Sequence, residues 1–119
     1  MINKEQRKEL NGIIREILIK RDKVCLRCGK TKYLQASHIY PKGKYRRLEF
    51  EIDNIKFLCN GCHIFWWHKN PIEAMEWVIL TVGKPRMDRL KLMVQTGGGL
   101  KLDFHLIKLY LLQELAKYE

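Results

Sequence analysis

Four cysteines stand in two identical Cys-x-x-Cys pairs, Cys25/Cys28 and Cys59/Cys62. A turn of this kind points two thiolates at one centre, and two such turns complete a tetrahedral four-thiolate site. Because no ligand position stays open, the pairs predict a structural Zn²⁺ whose binding energy acts as folding energy. A redox motif would occur singly beside a βαβ pattern, which the sequence lacks. Iron held by four thiolates is the chemical alternative.

Three histidines lie within or just after the segment that the cysteines bracket: His38, His63 and His68. A lone histidine is more often structural than functional, but the two cysteine turns draw the ends of this segment together. His38 and His63 are therefore predicted to converge. Hydrolysis of a phosphodiester needs a base that is neutral near pH 7 and a cation that offsets charge on the phosphate. One histidine as base and one or two as metal ligands would supply both.

The chain carries 23 Lys and Arg residues against 13 Asp and Glu, a net charge of +10. Such an excess favours polyanions through phosphate neutralisation, although a basic protein with no nucleic-acid role can have the same composition. Four basic residues follow His38 closely, which favours a phosphate clamp on DNA over a solvated loop. They are Lys42, Lys44, Arg46 and Arg47.

The elements that position these residues begin with a helix over residues 4–20, predicted from apolar periodicity and a capping box from Asn3 to Gln6. The helical period then disappears, and the pattern becomes that of a small sheet with connecting loops. A strand, an extended stretch, a second strand and a short helix are predicted over residues 34–39, 48–52, 55–58 and 63–68.

Helices are also predicted beyond this centre. The first begins where Asn70 caps and Glu73 reaches back, and it ends near Gly83. Another spans roughly residues 86–95 before the triple glycine at 97–99, a flexible break. A last helix starts near Asp103 and carries the apolar residues Leu106, Leu109, Tyr110 and Leu112.

These segments predict one small α+β domain over residues 1–119. Its parts are an N-terminal helix (1–21), a zinc-bound ββα core (22–70) and a helical tail (71–119). No apolar run approaches the roughly 20 residues of a membrane span, and the N-terminus lacks signal-peptide features. We therefore expect an intracellular protein without a membrane partner. The apolar tail helix leaves both a monomer and a homodimer open.

Aromatic residues and the remaining histidine are predicted to be mainly structural. Trp66 and Trp67 are expected in the core, with an exposed wedge as the alternative for one of them. Tyr40 and Tyr45 either stack on a base or pack on the loop. His105 lies in the apolar-rich last helix and is expected to have a structural role.

Three motifs resemble the HNH signature of the ββα-metal endonucleases: Ser-His-Ile at 37–39, Asn-Ile-Lys-Phe-Leu-Cys at 54–59 and Cys-His at 62–63. In that signature a strand histidine precedes an asparagine and then a histidine that follows the second Cys-x-x-Cys. The resemblance covers about residues 25–68. The run over residues 38–71 with the helical tail is also similar to phage recombination proteins of the NinG type, which would place the protein in a host cytoplasm.

The resemblance implies a role for each motif residue. His38 would be the general base that deprotonates water, Asn54 would hold the loop between the strands, and His63 would bind the catalytic divalent cation. His68 is a second candidate ligand, although many family members carry this histidine four residues after the first, where this chain has Trp67. On a straight α-helix a five-residue offset turns His68 about 140° away from His63.

A second departure from the family concerns Ser37. Many members carry a metal-binding His or Asp directly before the base, and a serine hydroxyl is a weak ligand. Waters and DNA phosphate are then expected to complete the shell, which suits Mg²⁺ and leaves Mn²⁺ or another transition metal open. The resemblance implies 5′-phosphate and 3′-hydroxyl products, with one strand cut per active site.

The predicted function is therefore a metal-dependent DNA endonuclease. The main alternative is a non-catalytic zinc-finger module that binds DNA, for which the basic charge and the four cysteines suffice. It does not account for the spacing of His38, Asn54 and His63. A zinc-stapled protein-interaction module is a third reading, and it predicts no salt-sensitive DNA binding.

Overall fold

The first helix, α1 (Lys4–Arg21), begins at the predicted capping box. The Asn3 side chain accepts a hydrogen bond from the Gln6 backbone N–H, and the Gln6 side chain accepts one from the Asn3 backbone N–H. The structure is a computed structural model that describes residues 2–96 and 101–119. One stripe of α1 is buried, and it consists of Leu10, Ile14, Ile17 and Leu18.

Two strands, β1 (Leu34–His38) and β2 (Ile55–Cys59), form an antiparallel sheet in which Ser37 lies opposite Lys56. All five residues of β2 are buried. Successive side chains of a strand point to opposite faces. Phe57 accordingly joins the core against α1, and Leu58 joins the cysteine cluster. The observed architecture is α+β, as predicted.

The expected extended stretch at 48–52 is wrong. Two short 3₁₀ turns, Arg46–Leu48 and Ile52–Asn54, carry the chain between the strands. The alternating apolar residues of this stretch are buried. The chain does not pair with a strand, and it turns around the buried side chain of Asn54. Within the described residues the sheet has two strands, so no partner strand is present for this segment.

The short helix after β2 is a π-helix, Cys62–Trp67, which we call the π turn. The backbone N–H of His68 donates to the carbonyl oxygen of His63, five residues earlier, at 3.3 Å. An α-helix would make this bond to the fourth residue back. The π turn therefore has a wider turn than the helix that the sequence predicts.

Three α-helices follow: α2 (Pro71–Val82), α3 (Lys84–Thr96) and α4 (Phe104–Ala116). The predicted cap at Asn70 is wrong, since its side chain makes no capping bond and Glu73 accepts from Trp66 Nε1 at 3.2 Å instead. The Asp103 side chain caps α4 as expected. The predicted break at 97–99 lies outside the described residues.

The helices contribute to two separate hydrophobic clusters. Helices α1 and α4 pack against one face, where α4 contributes Leu111 and Leu115. Val78 of α2 and Leu90 of α3 join the second cluster with the loop between the strands. Leu106, Leu109 and Leu112, which the sequence places on the last helix, are exposed. Among the helices described here, none has the length and apolar character needed to span a bilayer.

Candidate functional site

The four cysteine sulfurs form one cluster in which all Sγ atoms lie within 4.8 Å of one another. The Sγ atoms of Cys28 and Cys59 are 3.6 Å apart. Ligand sulfurs around a tetrahedral zinc with bonds of about 2.3 Å are roughly 3.8 Å apart. The four cysteines are thus positioned to bind one metal ion, as their spacing predicts, and the set is compatible with structural zinc.

The chemistry of this cluster favours a bound cation. Burial raises the pKa of the Cys62 thiol to about 12, and the neighbouring sulfurs raise it as well. Arg27 opposes this effect, with Nη1 3.6 Å from Cys62 Sγ. Cysteine must lose its proton to bind a metal. One guanidinium cannot offset four thiolates, so a divalent ion at the centre would supply the missing positive charge.

His38, the last residue of β1, is held in one tautomer. Its Nε2 lies 2.9 Å from the backbone carbonyl oxygen of Glu49. Because a carbonyl oxygen only accepts, Nε2 donates and Nδ1 keeps a free lone pair. Burial lowers the pKa of His38, the bond to Glu49 opposes this, and the charges of Lys42 and Lys56 lower the pKa again. The imidazole is therefore neutral at pH 7 and has one basic nitrogen.

His63, the second residue of the π turn, is oriented by the sheet. Its Nδ1 lies 2.6 Å from Oε1 of Gln35 on β1. With that oxygen as the acceptor, Nδ1 donates and Nε2 carries a lone pair. Metal-binding histidines commonly donate their other ring nitrogen to an oxygen in this way. Burial lowers the pKa of His63, and so do the charges of His68, Lys56 and His38.

The π turn brings His68 beside His63. The ring centroids are 4.5 Å apart, and the two Nε2 atoms are separated by 3.0 Å. Two nitrogen ligands bound at about 2.1 Å and at right angles to one ion are also about 3.0 Å apart. The divergence of about 140° expected on an α-helix is absent, because the wider turn places His68, five residues later, over His63.

The donor set of this histidine pair suits a transition-metal ion better than Mg²⁺. Among the described residues, no Asp or Glu lines the surrounding cleft, whose polar residues are His38, Lys42, His63 and His68. Imidazole nitrogen suits zinc, nickel and iron, whereas carboxylate and water oxygens suit Mg²⁺. In residues 2–96 and 101–119, the cysteine cluster is the only group of three or more His, Cys, Asp or Glu ligand atoms close enough to share an ion.

Asn54 is fully buried and holds the loop between the strands by three hydrogen bonds. Its Oδ1 accepts from the Tyr40 backbone N–H at 2.8 Å. Its Nδ2 donates to the carbonyl oxygens of Tyr40 and Leu48, each at 3.0 Å. Leu48 directly precedes Glu49, whose carbonyl fixes His38. Asn54 therefore holds the backbone that orients the proposed base.

Ser37 and Lys56 form a cross-strand pair whose side chains are both fully buried. Neither Ser37 Oγ nor Lys56 Nζ has a hydrogen-bond partner among the residues that the structure describes. Lys56 Nζ lies 3.4 Å from the ring centroid of Trp67. Burial lowers the pKa of Lys56 to about 7, and the charge of Arg86 lowers it further. The Lys56 amine therefore loses its proton near neutral pH, and it lies against Trp67, a residue of the cleft lining.

The four basic residues of the loop differ in exposure. Lys42, Lys44 and Arg46 are exposed, whereas Arg47 is half-buried and its Nε has no partner within the described part of the chain. Lys42 is the member that lines the cleft with the histidines. It is therefore the basic residue best placed to meet a phosphate at the site.

Trp66 is buried, as predicted, and packs edge-on against Trp77 with centroids 5.2 Å apart. Trp67 is half-buried and lines the cleft. Tyr40 and Tyr45 pack on each other, with ring centroids 5.1 Å apart. His105 is exposed on α4, with its ring centroid 5.2 Å from that of Phe104. It belongs neither to the cysteine cluster nor to the histidines of the cleft.

Sequence reasoning missed three groups of the site. Gln35 stands two residues before Ser37 on β1, so strand alternation could have placed both side chains on the same face of the sheet. Lys56 interrupts an apolar strand, which marks it as an unusual buried charge. The carbonyl of Glu49 had no sequence signal, because every residue has one.

No protein-family profile, curated protein or solved structure matches this chain. The candidate function therefore depends on the motif residues and on the distances given above.

Proposed function

We propose that the protein is a metal-dependent DNA endonuclease of the HNH type, with His38 as its general base. The observation that carries the proposal is the arrangement of three histidines around one cleft. His38 has a free Nδ1, and the Nε2 atoms of His63 and His68 lie 3.0 Å apart. A neutral base and a cation site are the two requirements of phosphodiester hydrolysis. The net charge of +10 supports a polyanionic substrate.

In this proposal His38 Nδ1 accepts the proton of the attacking water. The Nε2–H bond to the Glu49 carbonyl keeps the ring in place and stabilises the imidazolium that forms. Asn54 acts through the backbone, because its bond to Leu48 holds the segment that presents this carbonyl. It is a positioning residue and not a catalytic one.

His63 and His68 would hold the catalytic cation, and Gln35 would fix the ring of His63. Bound there, a divalent ion would offset charge on the phosphate and on the leaving oxygen. Since both donors are imidazoles, we expect Ni²⁺ to support more activity than Mg²⁺. The four cysteines would hold a separate structural Zn²⁺, with no position left for substrate.

The test is nicking of supercoiled plasmid by the purified protein with Mg²⁺, Mn²⁺ or Ni²⁺. His38→Ala is expected to lower the rate by roughly 10²- to 10⁴-fold, the usual contribution of a general base. His105→Ala is the matched control, since His105 is exposed on α4 and away from the cleft. Its rate should equal that of the unchanged protein.

Equal nicking by the His38 and His105 variants would refute the assignment of the base. Salt-sensitive DNA binding without cutting under any of the three metals would favour the zinc-finger alternative. The buried Ser37, which replaces the usual metal-binding residue, is the observation that favours that alternative.

A further inference from the structure

The cleft around the histidines has a volume of about 550 Å³ and combines two kinds of surface. The imidazoles and Lys42 suit a phosphate and its cation. The rest of the lining is mostly apolar, and α2 contributes much of it through its first turns. Besides Ala36 of β1, the apolar lining residues are Ile39, Pro41, Trp67, Pro71, Ala74 and Met75.

The apolar part of the lining makes no favourable contact with a DNA backbone, because the backbone is charged and strongly hydrated. The apolar part of a nucleotide is the face of its base, which gains from contact with apolar side chains. In an intact duplex both faces of each base are stacked on neighbouring pairs. Only an unpaired or extruded nucleotide offers a base face to a protein surface.

The size of the cleft agrees with a single nucleotide. A volume of about 550 Å³ equals a cube roughly 8 Å on an edge, which lies within the ~300–1,000 Å³ range of pockets for single small molecules. The basic residue Lys42 shares this lining with the histidines. The cleft can thus hold a phosphate beside one base.

We infer that the apolar part of the cleft is a binding subsite for an unpaired nucleotide next to the phosphate at the histidines. The inference rests on the proposed endonuclease function and names its substrate class: DNA with a bulge, flap or single-stranded segment. Met75, 38% exposed at the edge of the cleft, is the side chain that meets the base and can be changed without opening the core.

The experiment compares cutting of a labelled duplex with cutting of the same sequence carrying a short unpaired bulge. The unchanged protein should cut beside the bulge at least about tenfold faster, since an unpaired base need not be unstacked. Met75→Gln should lower the rate on the bulged DNA about fivefold. Ile79→Gln is the matched control, because Ile79 lies one turn later on α2, is 45% exposed and does not line the cleft.

Equal rates on the two substrates, or equal effects of the two variants, would overturn the subsite. A binding measurement separates this failure from failure of the proposed function. The His38→Ala protein should bind the bulged DNA more tightly than the duplex in fluorescence anisotropy, and Met75→Gln in that background should remove the difference. Selective binding without any cutting by the unchanged protein would keep the subsite and reject the nuclease.

Discussion

Cys62 and His63 are neighbours in the chain, but their side chains belong to two clusters of opposite design. The cysteine cluster has four identical donors within 4.8 Å, and a bound ion would have no free position. The histidine pair has two donors 3.0 Å apart at an open cleft. The first design suits an ion that stabilises the fold, and the second suits an ion that must also meet a substrate.

The largest effect that tests this contrast is the loss of the fold when one cysteine ligand is removed. Cys62→Ser should abolish metal binding by the cluster and unfold the protein, because zinc sites of this kind contribute about 10 kcal/mol or more to folding. His63→Ala, one residue away, should keep the native circular dichroism and one zinc per chain. A folded Cys62→Ser protein without zinc would contradict the structural role of the cluster.

The second prediction concerns the loop that orients His38. Asn54→Ala leaves the backbone N–H and carbonyl oxygen of Tyr40 unpaired, and the Leu48 carbonyl keeps only its bond from the Glu51 N–H. At about 1–3 kcal/mol for each buried group, the free energy of unfolding should fall by roughly 4 kcal/mol. Denaturant unfolding measures this loss. The exposed Asn60 provides the control, and Asn60→Ala should change stability by about 0.5 kcal/mol or less.

Retained zinc in the Asn54→Ala protein would show that the cleft and the cysteine cluster are stabilised separately. Loss of zinc together with stability would instead join them into one cooperative unit.

The third prediction concerns Lys56, which lies against Trp67 of the cleft lining. Burial lowers its pKa from 10.5 to about 7, so between these values the unfolded chain binds the proton and the folded chain does not. Stability is then lowest below pH 7 and rises as the pH increases towards 10.5. This change corresponds to roughly 5 kcal/mol, and the contact with Trp67 offsets about 2 kcal/mol of it.

Lys56→Met should therefore stabilise the protein by about 3 kcal/mol more at pH 6.5 than at pH 10. Denaturant unfolding at the two pH values measures the difference. Lys20→Met, at an exposed position of α1, should show no such dependence. A gain that is equal at both pH values would mean that Lys56 stays charged throughout.

The smallest effect expected is a shift of the acid limb of the pH–rate profile, in which kcat/KM is plotted against pH. Burial and the charges of Lys42 and Lys56 keep the pKa of His38 below 6.5, and only the neutral imidazole accepts a proton. With saturating metal, kcat/KM should be close to its maximum at pH 7, and it should decrease when the pH is lowered below 6.5. Lys42→Gln removes one of these charges, so it should move the limb to higher pH.

Lys44→Gln serves as the comparison, since Lys44 is exposed and does not line the cleft. Its acid limb should stay in place. Identical limbs in all three proteins would mean that a group other than His38 controls the reaction.

Sequence analysis correctly predicted the elements whose structure depends on residues close together in the sequence. The capping box of α1 and the two Cys-x-x-Cys turns depend on residues three positions apart. The convergence of the cysteines needed only that both turns share an ion. For such features, short-range spacing and the chemistry of the side chains are sufficient.

The histidine pair could not be predicted in this way, because its geometry depends on the type of helix. Nothing in the residues between His63 and His68 distinguishes an α-helix from a π turn. The segment at 48–52 failed for a related reason: its alternating apolar residues fit a strand, but Asn54 organises the backbone into turns. Both outcomes depend on tertiary contacts that no local pattern contains.

The π turn also determines how many residues can separate the two histidines while their imidazoles stay adjacent. Histidines four residues apart on an α-helix are neighbours, and so are histidines five residues apart on a π turn. The two arrangements differ by one residue, which the wider turn accommodates without moving either imidazole from the cleft. A single inserted codon therefore connects the spacing of His63 and His68 with the four-residue spacing of an ordinary metal-binding helix.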